Sequence, residues 1–367
     1  PTLLSLAGPS TATQDPIEKQ FQSSPLFLKS IKTAGSIPDS AYSETFYPFS
    51  SFGWNPLHSV QTARYHYIEA PTPELYDLSV DPAETNNIAP EQTATVGVLK
   101  DKLQQILKIN PFSKASSGQS EPAPSKLNVD AAEKLRALGY MAYHSPVSAE
   151  ALASGKLADP KDKLWEFNTI LKATDQFQSG NVDGGRHLMA QVREKDPDMY
   201  IVPFLLGEAA LREQKWQEAT SELRKCLELN PTFDQAMMGL ARALIFENNT
   251  DEAKQWIQRA LSLNPQNYRA WYQLGFIESL TDSNAALQNY QKALTIQDNF
   301  APLRKDLGML LYRTRDYQNA AKHLARATEL GVKDAEVYNA LGICYRHLRK
   351  FTAATAAYKN ALQLDPS

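Results

Sequence analysis

Small residues recur at a fixed interval through the second half of the chain. Ala or Gly stands at six positions that are 34 residues apart, with one interval of 33. A second Ala or Gly follows each of them twelve residues later, or eleven in the short unit. Helices can approach closely only where their side chains are small, so the spacing predicts two antiparallel helices per unit. The first positions are Ala173, Gly207, Ala241, Gly275, Gly308 and Gly342, and the second are Gly185, Ala219, Ala253, Ala286, Ala320 and Ala354.

Bulky residues and prolines complete each unit. Trp216, Tyr317 and Phe351 stand three residues before the second small position, where we expect them to lie beside the turn. A proline closes four units, because proline cannot continue the second helix. These prolines are Pro197, Pro231, Pro265 and Pro366.

With this period and these residues, the chain from 163 to 367 resembles the tetratricopeptide repeat family, in six units. The resemblance implies an all-α right-handed superhelix whose concave face, lined by the first helices, holds an extended peptide or another domain. We expect groove residues three positions before and one position after each first small residue. The candidate groove residues are Phe204, Met238, Arg242, Tyr272, Phe276, Lys305, Met309 and Asn339.

The candidate groove has an apolar and aromatic centre with mixed charges. This composition suits an amphipathic segment or a neighbouring domain. It does not suit the family's carboxylate clamp, which uses Lys and Asn at these places in consecutive repeats. The alternative is that some of these side chains belong to the core between repeats.

The first part of the chain has a different pattern. Short aromatic runs with alternating polarity predict antiparallel strands, and an amphipathic helix follows them. The fold class is therefore α+β: a small antiparallel sheet with helices, followed by the all-α superhelix. The predicted strands are Tyr42 to Tyr47, Ser59 to Ala63, Tyr65 to Glu69 and Glu74 to Leu78, and the predicted helix is Thr93 to Leu107.

Several strings in residues 1–112 are similar to the C-terminal subdomain of the sulfatase family. They are Pro1 to Gly8, Tyr42-Ser-Glu-Thr-Phe-Tyr47, Phe52-Gly-Trp54, Arg64-Tyr-His-Tyr-Ile68 and Glu74-Leu-Tyr-Asp-Leu78 with Asp81-Pro82 and Glu84. The resemblance implies that a catalytic domain lies upstream. Residues 113–128 then form a polar, proline-bearing linker, and residues 129–162 form a helical connector into the repeats.

The sulfatase reaction needs residues that this chain does not contain. The resemblance implies a formylglycine, made from Cys or Ser in a Cys/Ser-x-Pro-x-Arg motif, and a divalent cation, Ca²⁺ or Mg²⁺, in the missing domain. Neither Cys226 nor Cys344 begins such a motif, and no Ser-x-Pro-x-Arg occurs. We therefore expect no cofactor in this chain and no hydrolysis by it alone.

Trp54 and His58 are the candidate residues at the rim of a substrate cleft. We place them in a loop between strands, where the family's C-terminal subdomain approaches the cleft. The alternative is that Trp54 packs on the sheet and His58 is a solvated loop residue.

The composition of the chain limits the classes of partner that we expect. A formal net charge of −3 without a basic stripe argues against a nucleic-acid binder, and no apolar run approaches a membrane span. The chain begins with Pro1 and not with Met, so we expect it to be part of a longer protein. If that protein is a bacterial sulfatase, the resemblance implies a periplasmic or secreted location. The expected partner is a protein or peptide in the groove, or the missing catalytic domain.

Three functional hypotheses follow. The first is the C-terminal part of a sulfatase that carries a repeat scaffold for protein interactions. The second is a non-enzymatic repeat protein that binds partners. The third is a related phosphoesterase of the alkaline-phosphatase superfamily, with a Ser or Thr nucleophile in the missing domain.

Overall fold

The computed structural model describes residues 40–109 and 157–366. These fall into two compact units, one of residues 40–48, 54–109 and 157–159, and one of residues 49–53 and 160–366. The predicted helix Pro1 to Gly8, the linker 113–128 and residues 129–156 of the connector lie outside the described residues.

The first unit contains an antiparallel sheet whose four strands pair in chain order. Tyr42, Val60, Tyr67 and Leu75 stand opposite one another in successive strands and form one row across the sheet. Helix α2 (Thr93–Ile109) packs on this row, and its Leu103 is completely buried. The strands of this unit are β1 (Ser40–Thr45), β2 (Leu57–Thr62), β3 (Tyr65–Glu69) and β4 (Glu74–Asp77). A short helix, α1 (Tyr47–Phe52), follows β1, and its residues 49–52 belong to the second unit.

The second unit consists of six antiparallel helix pairs, numbered here as repeats one to six. A 3₁₀ turn, Pro160–Lys163, precedes them. The first helices are α3 (Leu164–Gln178), α5 (Ile201–Arg212), α7 (Asp234–Phe246), α9 (Tyr268–Glu278), α11 (Ala301–Arg313) and α13 (Ala335–His347). The second helices are α4 (Val182–Lys195), α6 (Trp216–Leu229), α8 (Thr250–Leu263), α10 (Ser283–Ile296), α12 (Tyr317–Glu329) and α14 (Phe351–Leu364).

The small residues lie where the two helices of a pair touch. A Cβ added at Gly207 would lie 2.6 Å from the Leu223 side chain, and one added at Gly275 would lie 2.6 Å from the Tyr290 ring. The second small residues Ala219, Ala253 and Ala320 are completely buried. Close helix packing therefore accounts for the repeated small residues.

The turn between the two helices requires one residue with positive φ in most repeats. Gly180, Gln214, Asn248, Arg315 and Arg349 occupy this position, with φ between 58° and 86°. In repeat four the corresponding Asp282 has φ −139° and caps α10. The missing residue of the 33-residue interval therefore falls in this turn, and the left-handed conformation is lost with it.

We expect Gly308→Ala to destabilise the repeat unit by about 1–3 kcal/mol. The added Cβ would lie 2.7 Å from the Leu324 side chain and 3.0 Å from its backbone nitrogen, so α11 and α12 would have to separate. The measurement is urea unfolding followed by circular dichroism. Gly97→Ala is the matched control, because a Cβ there meets nothing within 4 Å and the change should stabilise α2. Equal effects of the two substitutions would contradict this interpretation.

We expect Arg315→Gly to stabilise the protein by about 1 kcal/mol, because φ of +64° is unfavourable for a residue with a Cβ. The turn's hydrogen bonds, such as Asp316 N to Leu311 O at 2.9 Å, involve only the backbone and are kept. Thermal unfolding measures the change. Asn248→Gly should give a smaller gain, since asparagine tolerates this conformation better. A lower melting temperature for Arg315→Gly would refute the argument.

Candidate functional site

The first helices of neighbouring repeats approach one another more closely than the second helices do. In the described chain, α5 contacts α3 and α7, α7 contacts α9, and α11 contacts α13, whereas consecutive second helices have fewer contacts. The array therefore curves with its first helices on the inside. We call this inner surface the first-helix face.

Polar side chains link neighbouring first helices across this face. Arg242 Nη2 lies 3.4 Å from the Glu208 carboxylate of the preceding repeat. Tyr272 donates a hydrogen bond of 2.7 Å to Asp306 of the following repeat. Lys305 Nζ lies 3.7 Å from Asp334. Most charges on the face therefore have a partner on an adjacent helix.

Asp306 is a half-buried carboxyl between repeats four and five. Desolvation by burial raises its pKa, while the hydrogen bond from Tyr272 and the charges of Lys305 and Arg313 act in the opposite direction. Burial and the Asp306 charge together raise the pKa of Tyr272. The Tyr272 hydroxyl is therefore the group that makes an ionised Asp306 tolerable at this place.

Aromatic rings lie at the first-helix face and in the core beneath it. The Tyr272 ring lies 6.1 Å from the Tyr290 ring and 5.2 Å from the Phe300 ring, centroid to centroid. Phe276, one turn further along α9, keeps 39% of its surface exposed. Phe276 is thus an aromatic side chain on the inner surface that solvent can reach.

The structure separates the predicted groove residues into three groups by their burial. Phe204 is buried, with 7% of its surface exposed and its ring 4.8 Å from the Phe233 ring, so it belongs to the core between repeats. Met238, Tyr272, Lys305 and Met309 are half-buried. Arg242, Phe276 and Asn339 are exposed.

Sequence reasoning missed Asp306 and Asp334, which pair with predicted groove residues. The signal for Asp306 is a carboxylate inside the apolar helix Leu303 to Leu311, 34 residues after Tyr272. A helix-pair period places such residues next to each other on successive first helices.

Trp54 and His58 do not lie together in a loop. His58 is a residue of β2, its side chain is 16% exposed, and its Nδ1 lies 3.1 Å from the Tyr42 hydroxyl. Burial lowers the pKa of His58, and the nearby Glu44 and Glu69 charges oppose this shift. Trp54 is buried at 6% exposure. The predicted loop position of His58 is therefore wrong, because β2 begins at Leu57, two residues earlier than the sequence pattern indicated.

The seam between repeats four and five is less tightly packed than several other seams. Helix α10 contacts α11 less than α6, α8 and α12 contact the first helices that follow them. A cavity of about 470 Å³ opens beside the seam, lined among others by Leu294, Arg304, Leu307 and His323. Burial and the charge of Arg304 lower the pKa of His323 to about 4, so this imidazole is neutral at pH 7.

Within residues 40–109 and 157–366, no group of three or more His, Cys, Asp or Glu residues is arranged to hold a metal ion. In the same ranges, none of the helices has the length and apolar character that crossing a membrane requires. Cys226 and Cys344 are buried free thiols on α6 and α13, and burial raises the pKa of both.

We expect Tyr272→Phe to cost about 1–3 kcal/mol at pH 7, because it leaves the Asp306 carboxylate without its donor. The cost should shrink in acid. The pKa of Asp306 is raised in the folded state. At a pH below this pKa the native carboxyl is protonated, so it carries no charge that the Tyr272 hydroxyl has to stabilise. Urea unfolding at pH 7 and pH 4 measures both values. Tyr312→Phe removes the same atom from a neighbouring tyrosine on α11 and should show no such pH dependence. A Tyr272→Phe cost that is equal at both pH values would contradict this role.

Comparison with known proteins identifies the helical region. Two family models described as Tetratricopeptide repeat match residues 170–232, 210–275 and 305–367. Between these matches lie residues 276–304, which contain the shortened turn of repeat four. A solved structure of PilF from Pseudomonas aeruginosa is 19% identical and superposes with a TM-score of 0.52, over 57% of this chain and 95% of that chain. At this identity the likeness concerns the fold alone.

Curated relatives match less than half of the chain. The peroxisomal targeting signal receptor of Candida albicans is 28% identical over 173 residues, 44% of this chain and 29% of the receptor. The cell division cycle protein 27 homolog of Caenorhabditis elegans is 33% identical over 162 residues, 40% of this chain and 21% of that protein. The chain thus spans less than a third of the length of these relatives, and none of the matches supports a sulfatase domain. Residues 170–275 and 305–367 are tetratricopeptide repeats, and the helix pairs form a tetratricopeptide superhelix preceded by a small antiparallel sheet.

Proposed function

We propose that this chain is a protein-interaction scaffold whose first-helix face binds an amphipathic polypeptide segment. The observation that carries the proposal is the exposed Phe276 ring on the inner surface of the repeats. Covering an exposed aromatic side chain with a ligand is favourable, because apolar surface is removed from water. At about 25 cal/mol/Å², covering the exposed part of Phe276 contributes about 2 kcal/mol.

The surroundings of Phe276 define the chemistry of the ligand. Arg242, Phe276 and Met309 occupy the same position in repeats three, four and five. Phe276 and Met309 therefore form an apolar stretch, bordered by the Arg242 guanidinium, which is 44% exposed. Arg242 and Lys305 already have carboxylate partners at 3.4 and 3.7 Å. The ligand that fits best offers apolar side chains to the centre and polar groups to the borders.

The names of the curated relatives support binding of polypeptides. One relative is a receptor for a peroxisomal targeting signal, and another is subunit 3 of the anaphase-promoting complex of Schizosaccharomyces pombe. Both names describe proteins that act by binding other proteins or their segments. The partners of those proteins are not assigned to this chain.

The interpretation of residues 1–112 as a sulfatase subdomain stays a prediction from sequence. The formylglycine, the Ca²⁺ or Mg²⁺ ion and the phosphoesterase alternative are also predictions. A non-enzymatic scaffold accords better with the comparisons, in which the matching family models are those of tetratricopeptide repeats. The proposed function therefore assigns no reaction to the described residues.

The test is to select binding peptides by display on the full chain and to measure their dissociation constants by fluorescence anisotropy. We expect Phe276→Ala to weaken the selected peptides by about tenfold or more, because it removes the central apolar contact. Phe246→Ala is the matched control. Phe246 is 58% exposed at the C-terminal end of α7, where its ring stacks on Trp216 of the preceding repeat. Selected peptides that bind both variants equally well, or a selection that yields no binder, would overturn the proposal.

A further inference from the structure

The seam between repeats four and five lacks a carboxylate that the first two seams contain. Arg186 on α4 pairs with Glu218 on α6. In the same way, Arg224 on α6 pairs with Glu252 on α8. Both glutamates stand one residue before the second small position of their repeat, and the equivalent residue in repeat five is Asn319. A cation at this seam therefore finds no glutamate at the place that supplies one in the first two seams.

Arg304 of α11 is a cation at this seam. Its Nε donates a hydrogen bond of 2.8 Å to the backbone oxygen of Asp298, and its Nη1 lies 3.0 Å from Nδ1 of His323. Within residues 40–109 and 157–366, it forms no ion pair with a carboxylate, and its Nη2 has no hydrogen-bond partner. Burial lowers the pKa of Arg304, although the Asp298 charge opposes this shift. The guanidinium is therefore a partly desolvated cation, and an anion beside it would be stabilising.

The backbone holds the Arg304 side chain in place. Trp271 stands at the equivalent position in repeat four, and its Nε1 donates to the backbone oxygen of Pro265 at 2.9 Å. The bond from Arg304 Nε to Asp298 is the same contact, because Asp298 is the equivalent of Pro265. The guanidinium thus takes the place of an indole ring, and it is oriented without a ligand.

His323 supplies a second donor beside Arg304. A guanidinium has only donors, so Nδ1 of His323 accepts the hydrogen bond from Arg304. Burial and the charges of Arg304 and Lys322 lower the pKa of His323 to about 4, so the imidazole is neutral at pH 7. With Nδ1 as the acceptor, the single ring proton lies on Nε2. In the described part of the chain, this N–H has no hydrogen-bond partner.

These groups line the cavity of about 470 Å³ beside the seam. Its lining consists of Arg304, His323 and Lys322, three uncharged polar residues and four leucines, and as described it contains no aspartate or glutamate. Lys322 is exposed, and it too has no ion pair among the residues that the structure describes. The cavity thus combines two cations that lack a carboxylate partner with an apolar wall. The leucines of this wall are Leu287, Leu294, Leu307 and Leu311.

The cavity and the first-helix face use different sides of α11. Arg304, Leu307 and Leu311 are spaced by three and four residues, so they form one stripe along the helix. Lys305 and Met309 of the first-helix face are rotated from this stripe by about 100° or more around the helix axis. A ligand in the cavity therefore does not occupy the surface proposed to bind peptides, and the two proposals are independent.

We propose that this cavity binds a small monocarboxylic acid with a short apolar chain. The carboxylate accepts hydrogen bonds from Arg304 Nη2 and His323 Nε2 and lies beside Lys322. It supplies the anion that glutamates supply in the first two seams. The apolar chain lies against the four leucines. The cavity has the volume of about fifteen water molecules, so the ligand has roughly ten non-hydrogen atoms.

Isothermal titration calorimetry of the full chain with octanoate, an acid of this size, tests the proposal. We expect a dissociation constant below about 1 mM at pH 7. Octanamide has the same chain but no charge, and it should bind about tenfold more weakly or worse. Equal binding of the two compounds, or no binding of octanoate up to about 10 mM, would overturn the proposal.

Arg304→Gln tests which cation holds the carboxylate. We expect this substitution to weaken octanoate binding by about tenfold or more, because it removes the charge and the Nη2 donor. Arg259→Gln is the matched control. Arg259 also donates to a backbone oxygen, that of Pro231 at 3.1 Å, but it belongs to α8 and does not line the cavity. If both substitutions weaken octanoate equally, net charge controls the binding and the proposal is wrong.

Asn319→Glu restores a carboxylate at the place of the glutamates in the first two seams. Asn319 is the third residue of α12, after the N-cap Asp316, where a glutamate is favourable, so this variant should fold. The new carboxylate should pair with Lys322 or Arg304 and lower the octanoate affinity by about tenfold. Circular dichroism checks the fold of each variant. An unchanged octanoate affinity in Asn319→Glu would contradict the proposal.

Inorganic phosphate is the competitor that tests the need for the apolar chain. We expect phosphate to displace octanoate only at a concentration about tenfold higher or more, because it makes no contact with the leucines. Displacement at equal concentration would show that the cavity selects charge alone, and the monocarboxylic acid would be the wrong class of ligand.

Discussion

The close approach of two helices within each pair is the constraint on which the rest of the repeat unit depends. At Gly342, for example, an added Cβ would lie 2.6 Å from the Tyr358 ring. Because the pair can close only over such small residues, the bulky side chains lie above and below them and reach neighbouring repeats. The seams and the inner surface both follow from this one contact.

The repeat unit could be predicted from the sequence because its signal is a packing requirement that recurs six times. The sheet could be predicted as antiparallel with less accurate bounds: β2 begins at Leu57, where the pattern indicated Ser59. The difference arises because Leu57 and His58 are only half-buried, so the alternation of burial does not mark them as strand. The 33-residue interval could be read from the sequence. The sequence did not show that the missing residue belongs to the turn before Asp282.

The candidate site was harder to predict because a period places residues on a helix without fixing their depth. Phe204 and Phe276 are both aromatic residues near the first small position, yet Phe233 covers the former and solvent reaches the latter. The outcome depends on side chains from the following repeat, which differ between units. Asp306 is the opposite case. Burial disfavours the charge of this carboxyl, and the hydrogen bond from Tyr272 offsets that cost.

The seam between repeats four and five is packed unevenly between its first-helix side and its second-helix side. In a linear array each repeat is stabilised only by its neighbours, so cooperativity is transmitted through the seams in series. On the second-helix side, α10 and α11 make few contacts, as α4 and α5 do between repeats one and two, and a cavity of about 470 Å³ lies beside them. On the first-helix side, Tyr268 and Tyr272 pack on Phe300, and one buried apolar cluster continues through repeats four, five and six. The apolar cluster therefore carries cooperativity across this seam, and we expect local opening on its second-helix side.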